Sequence, residues 1–109
     1  MSQELVLSTE EAGPRMLIRA MGELDFATAE RLVSVLNNGA AENDEVVIDL
    51  RGLTFIDCAG LRVVLYANKR AALDGCRLRL IRGAAAVQQV FKLTRTEAEL
   101  PFIDAEDLI

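Results

Sequence analysis

The sequence predicts an α/β domain: a mixed β-sheet, made of an N-terminal hairpin and then parallel strands, with helices packed against it. Three observations predict it. Two short strand-like runs near the N-terminus flank a Gly-Pro pair, which is turn chemistry. Beyond them apolar strand runs alternate with helically spaced apolar residues, an order that right-handed crossovers turn into a parallel sheet. The run Val46 to Leu50 has the β-branched, aliphatic composition of a strand covered on both faces. A short turn later, Asp57 opens a long helix.

Each element has its own reason. Leu5-Val-Leu-Ser-Thr-Glu-Glu and Arg15-Met-Leu-Ile-Arg-Ala-Met, joined by Ala12-Gly-Pro, read as an antiparallel hairpin. Gly22-Glu-Leu-Asp closes the second strand, and Asp25 or Thr28 caps the next helix, whose apolar residues recur at Ala29, Leu32, Val33, Leu36 and Ala40. Asn37-Asn-Gly softens the end of that helix, and Asn43-Asp44 turns the chain into the central strand. Asp57 can accept hydrogen bonds from the free N–H groups of Ala59 or Gly60. The helix it opens runs from about Cys58 to Leu73, with Leu61, Val64, Leu65 and Ala72 on one face and Gly75 as a left-handed cap. Cys76-Arg-Leu-Arg-Leu-Ile alternates like a half-exposed edge strand whose outward arginines keep it soluble. Ala84 to Leu93 reads as a helix burying Val87, Val90 and Phe91. Leu100-Pro-Phe-Ile is a short extended piece, and Asp104-Ala-Glu-Asp-Leu-Ile one more helical turn.

Composition bounds the rest. At 109 residues the chain is a single domain, and folding at this size buries roughly two-thirds of the unfolded surface, enough for a core without disulfides or metal. Only 5% of residues are aromatic, so Leu, Val, Ile and Ala must fill the interior. A net charge of −5 without a basic block argues against nucleic acid and anionic membrane as partners. The longest apolar runs, such as Val63-Val-Leu-Tyr-Ala, are too short to insert into a bilayer. Met-Ser-Gln-Glu lacks the basic and apolar regions of a secretory signal, so a cytoplasmic location is expected.

The two cysteines are too far apart for a CxxC pair and too few for zinc, so both are expected to be free thiols. The chain has no histidine, which removes the commonest general base and metal ligand. No catalytic residue, cofactor or metal site is expected. Cys58 falls in the first helical turn, where the dipole favours a thiolate.

Three segments, in this order and spacing, resemble the STAS domain over nearly the whole chain, and most closely the small stand-alone anti-sigma factor antagonists of bacteria. Gly22-Glu-Leu-Asp-Phe-Ala-Thr-Ala is similar to the family's Gly-Glu-Leu-Asp segment with its following Thr and Ala. Val46 to Leu65 is similar to its central strand and Asp-Ser-Ser/Thr/Ala-Gly-Leu helix start. Val87-Gln-Gln-Val-Phe-Lys-Leu-Thr resembles its late helix, although Arg95 stands near a usual Gly. The resemblance implies a module that binds a kinase-like anti-sigma factor and so regulates sigma-factor-dependent transcription. It implies partner contacts from Asp25, Thr28 and the helix start Asp57, Cys58, Ala59, Gly60 and Leu61.

In that family a Ser directly after the motif Asp is phosphorylated by the partner, and the phosphorylated form no longer binds it. The matching position here is Cys58, followed by Ala59, and neither has a hydroxyl. The implied module keeps its docking surface and lacks the usual off-switch.

Plainer readings stand beside these. Asp57 and Asp25 serve as helix caps whatever else they do, Leu61 reads as core before contact, and Cys76 as an ordinary strand residue. Arg62, Arg70, Arg77 and Arg79 read as solvated surface, with Arg62 within reach of a partner. Other functions also stay open: a STAS assembly subunit of a stressosome-like or lipid-transport complex, a homodimer, or a thiol enzyme using Cys58.

Overall fold

Hairpin formation at the N-terminus sets the first edge of the sheet. In the computed structural model, which describes residues 4–39 and 42–108, β1 (Val6–Ala12) and β2 (Arg15–Leu24) pair antiparallel from Val6↔Met21 to Ala12↔Arg15. After helix α1 (Ala29–Gly39), β3 (Glu45–Ile56) lies parallel to β2. Helix α2 (Cys58–Asp74) leads to β4 (Arg77–Ile81), parallel to β3. Helix α3 (Ala85–Leu93) and a 3₁₀ turn at Glu97–Glu99 lead to β5 (Phe102–Ile103), parallel to β4. A last 3₁₀ turn covers Ala105–Leu108.

The sheet order is β1-β2-β3-β4-β5, so every parallel crossover steps the same way. With right-handed crossovers, that places α1, α2 and α3 on one face. The buried cluster agrees. Met16, Ile18 and Ala20 of β2, Val46, Ile48 and Leu50 of β3, and Leu78 and Leu80 of β4 share one core with Leu32, Leu36, Val64, Val87 and Phe91. Phe91, the largest fully buried side chain, meets the Phe102 ring edge-on at 5.0 Å.

The opposite face is held by charge. Glu45 draws in Arg15 (2.6 Å), Arg79 (3.2 Å) and Arg77 (3.9 Å) from the two flanking strands, and Arg19 pairs with Glu10 at 3.1 Å. Between these ions Val47, flanked by Leu17 and Arg79 in the register, is fully buried. Asp49, only 5% exposed, takes a two-pronged pair from Arg51, with Nε at 3.0 Å and Nη2 at 2.8 Å. Burial alone would raise its pKa, but the hydrogen bonds from the Arg51 side chain and backbone outweigh it, and the carboxyl titrates below its ordinary value.

The structure corrects four expectations in detail. The central strand does not stop at Leu50 for a turn. It runs on to Ile56 because β2 is long enough to pair with it, and Gly52 marks a register shift within the strand. The segment Arg77–Ile81 is not a free edge, since Leu80 and Ile81 pair with Phe102 and Ile103; its arginines are partnered by Glu45 and not simply solvated. The buried stripe of α2 centres on Gly60, Val64, Ala67 and Ala71, small residues that bring the helix close, which leaves Ala72 exposed on its margin. In α3 the buried polar residue is Gln88, which accepts from the Gly83 N–H and donates to Glu97, while Val90 is half-buried. Ala40 lies outside the described residues.

A folded pKa below the unfolded value means that Asp49 contributes stability above about pH 3.8, lost as pH falls through its lowered pKa. Urea unfolding of Asp49→Asn against wild type should therefore show a deficit at pH 7 that shrinks on acidification below that value.

Candidate functional site

The site grows out of the end of the central strand. Pairing of Leu24 with Ile56 carries β2 and β3 to the same level, and the Asp57 N–H donates to the Leu24 carbonyl at 3.3 Å. Asp57 keeps an extended backbone (φ −114°, ψ −171°) and caps α2: its Oδ1 accepts the Gly60 N–H at 3.0 Å. Its other oxygen is also used. Oδ2 accepts the Phe26 N–H at 3.0 Å, so one carboxylate ties the β2–α1 connection to the start of α2.

That connection is itself a double cap. Asp25 Oδ1 accepts the N–H groups of Ala27 (3.0 Å) and Thr28 (3.1 Å), while Thr28 Oγ1 accepts the Asp25 N–H at 3.0 Å and donates to the Glu23 carbonyl at 2.8 Å. Asp25 and Thr28 thus cap together, where either one was expected.

Gly60 lets α2 sit this close. A Cβ there would run into the Leu24 carbonyl and fall 2.8 Å from Ile56. At the far end Gly75 takes φ 70°, and the helix closes with its N–H donating to the Ala71 carbonyl.

All seven residues expected at the site lie at this one end of the sheet, but they do not present alike. Cys58 is exposed, and Asp25, Asp57 and Ala59 are half-buried. Thr28, Gly60 and Leu61 are buried, at 8% for Thr28 and 7% for Leu61, so they set the shape of the tip from beneath. The tip itself is open and follows directly from β3. Cys76, by contrast, has its thiol pushed up by burial and by the carboxylates of Asp74, Asp44 and Glu45.

Two residues that the sequence reading passed over belong to the tip. Phe26 is 85% exposed, and Phe55 is 48% exposed. The signal was present: in a chain this poor in aromatics, a Phe inside a turn segment has no core to join. A separate cavity of about 340 Å³, lined by Arg19, Ala20, Met21, Asp49, Arg51 and Gly52, opens on the charged face. Its two arginines are paired with Glu10 and Asp49. Among the described residues no three metal-ligating side chains converge, and no helix is long and apolar enough to cross a membrane.

A five-stranded mixed sheet with a capped, small-residue helix tip at its middle strand defines a class of α/β domain. The STAS domain family matches residues 7–108, and the chain belongs to that family. Among solved structures it is similar to an anti-sigma factor antagonist from Mycobacterium paratuberculosis, with a TM-score of 0.85 at 19% identity, covering 98% of this chain and 93% of that one. It is also similar to the anti-sigma factor antagonist SpoIIAA in its unphosphorylated form (TM-score 0.72, 17% identity, 94% of this chain and 92% of that one). The phosphorylated form of SpoIIAA, a Bacillus cell fate determinant, superposes as well (TM-score 0.72, 18% identity, 94% and 96%). At these identities the likeness is one of fold.

Three substitutions test the geometry. Asp57→Ala should cost about 1–2 kcal/mol in urea unfolding, because two N–H groups lose their acceptor. Asp57→Asn, which keeps one carbonyl oxygen, should cost less. Gly60→Ala should cost about 1–3 kcal/mol, since the added methyl meets backbone that cannot yield without parting α2 from β2.

Proposed function

We propose that this chain is an anti-sigma factor antagonist. It works in the cytoplasm as a binding module and not as an enzyme, and docks its tip on a kinase-like anti-sigma factor, thereby freeing a sigma factor for transcription. The observation that carries this reading is the tip's construction. Asp25 and Asp57 hold two connections rigid at the end of β3, and the surface they hold is exposed at Cys58. A preordered surface loses little conformational entropy on association, which favours a protein partner. Membership of the STAS family and the fold shared with anti-sigma factor antagonists support the choice of partner.

At the phosphorylation position stands Cys58, with Ala59 next. A thiol does not take a phosphoryl group by ordinary serine-kinase chemistry, so phosphorylation does not interrupt binding here. Control then falls to the amounts of the two proteins.

Calorimetry against each anti-sigma factor of the same genome should find at least one that binds; absence of heat with all of them would remove the reading. With that partner and ATP, wild type should stay unmodified by mass, whereas Cys58→Ser should gain one phosphate and bind more weakly. A Cys58→Ser protein left unmodified by an active partner kinase would mean that the switch position lies elsewhere.

A further inference from the structure

Four of the large apolar side chains that the fold leaves exposed gather at the site's end of the sheet. Val6 (54%), Met21 (40%), Phe55 (48%) and Phe26 (85%) have no role in the core. The register places them. Val6 lies opposite Met21, and Met21 opposite Gly52, where a Cβ would strike the Met21 side chain. Phe55 lies opposite Glu23, two residues beyond Met21 on the helix-free face, and Phe26 follows at the tip, held by Asp57. The apolar residues form a strip leading from the edge of the open face to the helix tip. Isolated exposed hydrophobics are ordinary, but a contiguous set marks a contact surface.

The charges around the strip have one dominant sign. Glu4, Glu23, Asp25, Glu30 and Asp57 stand at its tip end, against Arg31 on α1 and Arg62 on α2. Arg51, at the strip's lower side, is neutralised by Asp49.

We infer that the partner's contact is an apolar ridge edged by lysine or arginine, which packs on Phe26, Phe55, Met21 and Val6, with Phe26 as its anchor. This rests on the proposed antagonist function and deepens it: docking extends past the helix tip onto the helix-free face, and the acidic rim selects a basic edge on the anti-sigma factor. Aromatic anchors at the centre of an interface carry most of its affinity, and complementary charge sets its rate and salt dependence.

The test measures Kd for the anti-sigma factor that binds wild type. Phe26→Ala/Phe55→Ala should weaken binding at least tenfold, and Phe26→Ala alone severalfold, with unfolding midpoints near wild type because both sites are exposed. Leu73→Ala/Leu93→Ala, which removes exposed apolar residues elsewhere, should leave Kd unchanged. Glu30→Lys should weaken binding severalfold at low salt and less at high salt. Unchanged affinity in the double Phe variant, or equal loss in the Leu pair, overturns the inference and leaves the antagonist reading standing. A wild-type chain that dimerises alone, and becomes monomeric in the Phe variant, puts a second copy on the strip and overturns it too. Failure of wild type to bind any anti-sigma factor removes the function and, with it, this partner.

Discussion

The carboxylate of Asp57 spans two connections with its two oxygens, and the tip depends on that span. One oxygen satisfies a helix N-terminus that would otherwise leave its donors to water; the other reaches across to the Phe26 N–H in the loop after β2. Each bond is modest on its own scale, about 1 kcal/mol. What they fix is position. The buried residues of β3 deliver Ile56 to one place, the Leu24 carbonyl receives the next N–H, and Gly60 lets the helix close over the joint. Without the carboxylate, the sheet and its core would still form, but the two connections would no longer share one rigid surface.

Electrostatics around that joint give meaning to the residue that follows it. A phosphoryl group at the start of α2 would bring nearly two more negative charges beside Asp57 and Asp25. Cys58 has no hydroxyl to carry such a group.

Much of this was legible in the residues, for physical reasons that can be named. Strand composition, Gly-Pro turn chemistry and the Asp57 and Gly75 caps are local signals, and they placed the hairpin, the start of the central strand and α2 correctly. Asp25, Thr28 and Asp57 were legible as caps because capping depends on only a few neighbours. Long-range pairing was not. That β3 continues to Ile56 depends on β2 being present to pair with it, and that β4 is interior depends on the two residues of β5. The convergence of Arg15, Arg77 and Arg79 on Glu45 joins three strands, so no window of sequence contains it. Phe26 escaped notice because its importance lies in what does not cover it. Arg95, expected near a usual Gly of the resembled family, adopts φ 62°, a conformation costly for a side chain with a Cβ.

The strand order carries one more consequence. Because β1 to β5 lie in the sheet as they occur in the chain, each strand docks on the one made just before it. The parallel pairs join residues about 30 apart, as Arg15↔Glu45 and Glu45↔Arg77 do, so each crossover closes a loop of that size before its strand is rewarded, and none waits for a segment made much later. During synthesis the sheet can grow outward from the hairpin as the ribosome releases it, and the last-made strand, only two residues long, adds a seam at the margin while the joint at Asp57 is already enclosed by earlier strands.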